Sequence, residues 1–297
     1  MDNQPLPLLD TIDMEILMHR DAHFGKNFDV MIDYYAKDGV GAMHDFDLSR
    51  IRNLKEIETQ ERVDLAEALL PEAAKEEVQK CLELYRDLEA LFDKDPKPKV
   101  PCLIADLILS EEEMPQKEID ALAENPDKVV APLLDLLHSK DFTSPISPGY
   151  GHAPYRAALC FHVLQSESSI APLFEALGHS DFATDEALFK ALRHQGEEAK
   201  TFLLKRLKHK PYCKESDNAA SSLAAFGDDA TVAQAALTLL EDPEVQQRST
   251  LAPTLVFLTA PLEEAKDQER LIALLNNKDL NNELVFEINS IKKVWNK

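Results

Sequence analysis

Residues 129–142 read VVAPLLDLLHSKDF, and residues 169–182 read SIAPLFEALGHSDF. The two stretches align without a gap, and six of their fourteen positions are identical. Each carries a leucine-bearing apolar run and then a short polar turn. The same pattern continues more weakly at 199–212, 231–244 and 268–279. Between these stretches lie further segments with helical spacing of apolar residues: APYRAALCFHVLQ, ATDEALFKALRHQG, ESDNAASSLAAFGDD, VQQRSTLAPTLVFLTA and NELVFEINSIKKVW. The unit is therefore helix, short turn, helix, with a period of roughly 30 to 40 residues. A single such hairpin cannot cover its own apolar face, so consecutive hairpins are expected to stack into an α-solenoid.

Several residues carry a family resemblance. They are Ala187, Leu188, Ala191, Leu192, Gly196, Ala199, Leu203 and Leu204 in one unit, and Ala219, Ala220, Leu223, Gly227, Ala230, Ala236, Leu237 and Leu240 in the next. This alternation resembles HEAT repeats, in particular the short bacterial type of the phycobilin lyases. GYGHAPYRAALCFHVL (149–164) is similar to a segment that opens a repeat in bacterial HEAT-repeat proteins. The resemblance covers about 115–297. It implies an all-α solenoid of about five HEAT-like hairpins over 113–297, preceded by an acidic helical region over 1–112. It is specific for architecture, because solenoids serve many functions.

The N-terminal region keeps helical spacing without the repeat. Helices are expected over about 6–20, over 28–35 up to Gly39 and Gly41, around Ile51, Leu54 and Ile57, and from Val63 to Leu70. PEAAKEEVQKCLELYRDLEALF (71–92) is the strongest single helix. Proline stands at its start, and Val78, Leu82, Tyr85, Leu88 and Phe92 share one face. DKDPKPKVP (93–101) breaks helix before a short apolar helix at 102–109.

Composition narrows the function. The chain has eight glycines in 297 residues, which favours helices over turn-rich sheets. Its net charge is −22. Residues 1–127 hold 14 Lys/Arg against 31 Asp/Glu, a net of −17. Such a surface repels phosphate backbones, so neither nucleic acid nor anionic membrane is expected as partner, and a protein with a basic surface is compatible. No stretch of about 18 apolar residues occurs. The first residues, MDNQPLPLLDTIDMEIL, lack the basic start of a signal peptide, and Cys81, Cys102, Cys160 and Cys213 form no CxxC pair. A cytoplasmic protein with reduced thiols is the expectation.

No catalytic or cofactor signature stands out. There is no GxxxxGK[ST], HExxH or GxSxG, and Gly39-Val40-Gly41 and Gly149-Tyr150-Gly151 lack a third glycine and a preceding strand. No cofactor is expected. The deoxyhypusine hydroxylases, which share HEAT repeats, use His-Glu dipeptides to hold iron, and this chain has none. His19 and His23 stand four residues apart on one helix face, with Asp21, His44 and Asp45 as possible further ligands. Lys205, Arg206, Lys208, His209, Lys210 and Lys214 form the one basic cluster, at a helix end where cations also favour the dipole.

One loop is unusually long. Between Ser139 and His152 some fourteen residues separate helices whose other connections are two to five residues. Long loops in compact domains are often functional, and Tyr150, His152, Tyr155 and Arg156 are residue types common at binding surfaces. Pro154, Gly149 and Gly151 equally serve helix initiation and turns. The preferred expectation is a non-enzymatic protein–protein interaction module, an adaptor, scaffold or chaperone-like binder, using the solenoid surface and the 139–156 loop. Two alternatives stand beside it. One is a ligand- or metal-binding enzyme or carrier with its site between the N-terminal region and residues 144–156. The other is a lyase-like binder of an anionic tetrapyrrole on the basic cluster.

Overall fold

The computed structural model describes residues 9–37, 46–277 and 280–295. Among these residues the chain is all-helical, with eighteen α-helices and no strand. They are α1 (Thr11–His23), α2 (Phe28–Ala36), α3 (Leu48–Glu61), α4 (Leu65–Leu69), α5 (Glu72–Phe92), α6 (Lys99–Leu109), α7 (Gln116–Ala123), α8 (Pro126–Leu137) and α9 (Ala153–Cys160). Then follow α10 (Ile170–Glu175), α11 (Phe182–His194), α12 (Glu197–Leu207), α13 (Lys214–Ala224), α14 (Ala230–Leu240), α15 (Pro243–Gln246), α16 (Leu251–Leu258), α17 (Ala265–Ala273) and α18 (Asn282–Trp295). None of the described helices is long and apolar enough to cross a membrane. The chain divides into two compact units, Met1–Cys160 and Phe161–Lys297.

Part of the acidic excess is spent on helix starts. Asp10, Asp47, Asp64, Asp181, Asp229 and Asp242 each stand at an N-cap and accept backbone N–H groups of the first turn. Those donors have no partner within the helix, and each such cap stabilises by about 1 kcal/mol.

In the first unit Ile16, Leu17, Met31, Ile51, Leu54 and Leu65 form one apolar cluster. Arg20 is fully buried beside it. Its guanidinium reaches Asp21 at 2.6 Å, Glu58 at 2.5 Å and Asp64 at 2.9 Å, and lies 4.7 Å from the Phe28 ring centroid. A buried cation is tolerable only with such partners. Asp64 and Glu58 also accept the first N–H groups of α4, from Ala66 and Leu65. One side chain on α1 thereby fixes α3 and a helix only five residues long.

In the second unit, many side-chain bonds between elements span about 30 residues, beside others that span 25 to 41. Lys200 pairs with Asp229 at 2.6 Å, Lys210 with Asp242 at 2.7 Å, Arg248 with Asp217 at 3.5 Å, Arg270 with Glu241 at 2.9 Å and Asn277 with Gln246 at 2.9 Å. Arg193 donates to the Ala225 carbonyl and Gln234 to Asp267. All seven span 29 to 33 residues. Helices α11, α13, α16 and α18 pack successively on one another, and α17 packs on α14. Trp295 donates from Nε1 to the Ala260 carbonyl at 2.8 Å, tying the end of α18 to the turn after α16.

Two expected helices are shorter than their apolar spacing suggests. The helix expected over 153–165 stops at Cys160, where the amide of Gln195 donates to the carbonyls of Phe161 and Leu164. Those carbonyls are satisfied by a side chain from α11's end, so the helix need not continue. The helix expected over 245–260 breaks between α15 and α16, where Arg248 turns away to the Tyr212 carbonyl.

Candidate functional site

The long connection between α8 and α9 is fastened at both ends to the first unit. Asp141 pairs with Lys80 of α5 at 2.7 Å, and Ser144 donates to Glu77 of the same helix. Ile146 is buried with Ala22, Val78 and Cys81. Ser147 bonds back to the Ser144 carbonyl through both Oγ, at 2.6 Å, and N, at 2.9 Å. Burial pushes the Cys81 thiol up to about 12, so it sits there as an apolar group.

Beyond Pro148 the backbone takes three consecutive residues into the left-handed region: Gly149 at φ 77°, Tyr150 at 57° and Gly151 at 80°. The glycines have a steric reason. A Cβ on Gly149 would lie 2.3 Å from the Ile108 carbonyl, and one on Gly151 would lie 3.0 Å from that of Thr143. Tyr150 is the exception, because a bulky residue enters this region only when its surroundings hold it there.

Those surroundings are aromatic and polar. The Tyr150 ring meets the His23 ring edge-on at a centroid distance of 4.9 Å, and His23 meets Tyr85 at 5.7 Å. His23 Nδ1 is 3.0 Å from the Tyr85 hydroxyl. Burial lowers His23 to about 4, so its imidazole is neutral. Burial likewise raises both phenols, aided by the negative charge of Glu111. His23 Nε2 is buried and has no hydrogen-bond partner among the described residues.

Arg156 is fully buried, and its guanidinium faces the end of α6. It donates to the carbonyls of Ile108 at 2.7 Å, Leu107 at 3.3 Å and Glu112 at 3.4 Å. The first two are acceptors that a helix C-terminus leaves without partners, Glu112 lies in the connection that follows, and a cation there also meets the favourable end of the dipole. Burial lowers the Arg156 pKa, with the Tyr150 and Glu118 oxygens opposing. His152 and Tyr155 are half-buried, and His152 accepts the Arg156 N–H through its carbonyl at 2.9 Å.

Next to this clamp lies an open groove of about 570 Å³. One wall is α1, which contributes Thr11, Met14, Glu15, Met18 and His19. The other wall is the start of α5, with Pro71, Ala73, Ala74 and Glu77. Ser144, Pro145 and Ile146 close one side. Most of this lining is apolar, and its polar groups are few, as in ligand and peptide sites generally.

The structure thus brings His19, His23 and the 144–150 segment together, in the place expected for the ligand-site alternative. The His19 and His23 ring centroids are 5.3 Å apart. His44 and Asp45, named as further metal ligands, lie outside the described residues. No group of three or more His, Cys, Asp or Glu converges to hold a metal among the described residues. In the basic cluster, Lys210 pairs with Asp242, Lys214 donates to the Gly178 carbonyl at 3.3 Å, and Arg206 lies 5.1 Å from the Phe202 ring and 6.0 Å from that of Phe174. Met14 and Met18 were not singled out from sequence. Their four-residue spacing on a helix whose buried face is Ile16, Leu17 and Arg20 is the signal that marks them.

Comparison with family models, with curated proteins and with solved structures finds no match to this chain.

Proposed function

We propose that the protein is a non-enzymatic interaction module that binds another polypeptide through the groove between α1, α5 and residues 144–146. The groove carries this reading: an open, largely apolar cleft of about 570 Å³. Soluble chains rarely leave such surfaces uncovered without a use. The long loop serves the groove through Ser144, Pro145 and Ile146, while Tyr150 and Arg156 hold the loop in position. The second unit acts as a HEAT-like solenoid that presents further surface to the same assembly. The seven of its side-chain bonds that span 29 to 33 residues support that reading, since stacked repeats of such length produce them. A cytoplasmic setting, in which thiols stay reduced, suits its four free cysteines.

The test is a photo-crosslinking residue at exposed Ala73, compared with one at exposed Glu56 on α3. An adduct of polypeptide mass, formed in the native cell from position 73 alone, is the expected result. A small molecule or metal bound in stoichiometric amount in native mass spectrometry, with no adduct at position 73, would overturn the reading. That outcome would favour a ligand carrier, for which the buried, unbonded His23 Nε2 is the supporting observation.

A further inference from the structure

We infer that the groove takes an amphipathic α-helix with lysine or arginine on its flanks. This inference rests on the protein-binding reading and narrows it to one kind of partner.

Shape is the first reason. Thr11, Met14, Glu15 and Met18 stand at i, i+3, i+4 and i+7 on α1, so they form one stripe along two helical turns. At 1.5 Å per residue that stripe is about 10 Å long. A straight stripe of this length, with Met14 and Met18 as its apolar members, matches the spacing of anchors on a guest helix, which also recur at i, i+3 or i+4, and i+7. The opposite wall is low, because Ala73 and Ala74 carry only methyl groups there. A helix backbone can approach such a wall closely. Methionine supplies the remaining contact surface, and its unbranched, polarisable chain adapts to different guest side chains.

Charge is the second reason. The rim carries Glu15 and Glu77 and no Lys or Arg. Glu77 is already bonded to Ser144, whereas Glu15 makes no ion pair among the described residues. The unit as a whole holds 17 Lys/Arg against 33 Asp/Glu, a net of −16. That field attracts cationic segments and repels acidic ones. An apolar small molecule would use the floor but not the rim, and a fatty acid would meet carboxylates of its own sign.

The test uses two synthetic helical peptides and the full-length chain. Both peptides carry leucine at i, i+3, i+4 and i+7. One has lysine at its flanking positions, and the other has glutamate there. Fluorescence anisotropy should show the lysine peptide binding at least about tenfold tighter than the glutamate peptide, with a gain of helix in circular dichroism. Ala73→Tyr and Thr11→Tyr, at exposed positions on opposite walls, each fill the groove and should weaken binding at least about tenfold. Glu15→Lys should weaken it roughly threefold, an effect that added salt abolishes. Equal binding of both peptides, undiminished binding by both tyrosine variants, or no binding of either peptide overturns the inference. So does laurate binding that Ala73→Tyr removes in the absence of peptide binding. A polypeptide adduct at position 73 together with a failed lysine peptide would refute the helix and leave the protein-binding function standing.

Discussion

Replacing Arg156 by methionine separates a structural arginine from a contact residue. Methionine keeps most of the aliphatic stem, so the cavity left behind is small. What disappears is the donor set for three carbonyls. A hydrogen bond from a charged donor contributes about 1.5–3 kcal/mol. The bond to Ile108, at 2.7 Å, belongs in that range, while those to Leu107 and Glu112, at 3.3 and 3.4 Å, are long and add about 0.5 kcal/mol each. The cation's favourable position at the end of α6 adds roughly 0.5 kcal/mol. Against this, methionine avoids the desolvation that lowers the Arg156 pKa. The net expected loss is about 2–3 kcal/mol. The only tryptophan, Trp295, lies in the other unit, so fluorescence is a poor probe here. Hydrogen exchange followed by mass spectrometry suits the question, with peptides covering residues 105–115 and 144–156. Faster exchange in both stretches and a lower urea midpoint are expected. Arg156→Lys, which keeps the charge but loses the planar fork, should fall between wild type and Arg156→Met. A change under about 1 kcal/mol with unaltered exchange would refute the reasoning. Loss of partner binding at full stability would move Arg156 to the recognition surface.

Gly149→Ala should destabilise by at least about 2 kcal/mol in urea unfolding, because left-handed strain is joined by the approach to the Ile108 carbonyl. Gly25→Ala is the matched control: its φ is 58° with nothing within 4 Å, so only the strain of about 1 kcal/mol should appear. The first unit should lose stability as pH falls from about 6.5 to about 4. His23 is lowered by burial, so in that window the unfolded chain takes up a proton that the folded chain refuses. His23→Gln should flatten that part of the stability profile. Asp229 behaves in the opposite range. Burial raises its pKa, but hydrogen bonds from Lys200, Thr231 and Val232 outweigh that and hold it at about 2. Its contribution is therefore complete above about pH 4 and disappears as pH falls towards 2, and carbon NMR of its carboxyl should titrate near 2. An Asp229 midpoint at the ordinary carboxylate value would show that the Lys200 contact does not persist in solution.

Local chemistry made much of the helical organisation legible. The 71–92 stretch needed only its proline start and its three-and-four spacing, and α5 runs over Glu72–Phe92. The aspartates that cap helices could be read in the same way, since capping acts within three residues. The position of the long loop was legible too, because Pro145, Pro148, Gly149, Gly151 and Pro154 fall close together. Its inward contacts were not. Tyr150 reaches His23 across 127 residues, and Arg156 reaches Ile108 across 48.

The sequence by itself determined that this chain is helical and where many of its helices begin. Those properties depend on hydrogen bonds and apolar spacing within a few residues. Only the tertiary structure decided that Arg20 and Arg156 are buried, that Met14 and Met18 line a groove, and that a loop tyrosine leans on a histidine of the first helix. An arginine looks the same in a sequence whether it meets water or three carbonyls. The partners that distinguish the two cases come from distant segments, and only packing brings them within bonding distance.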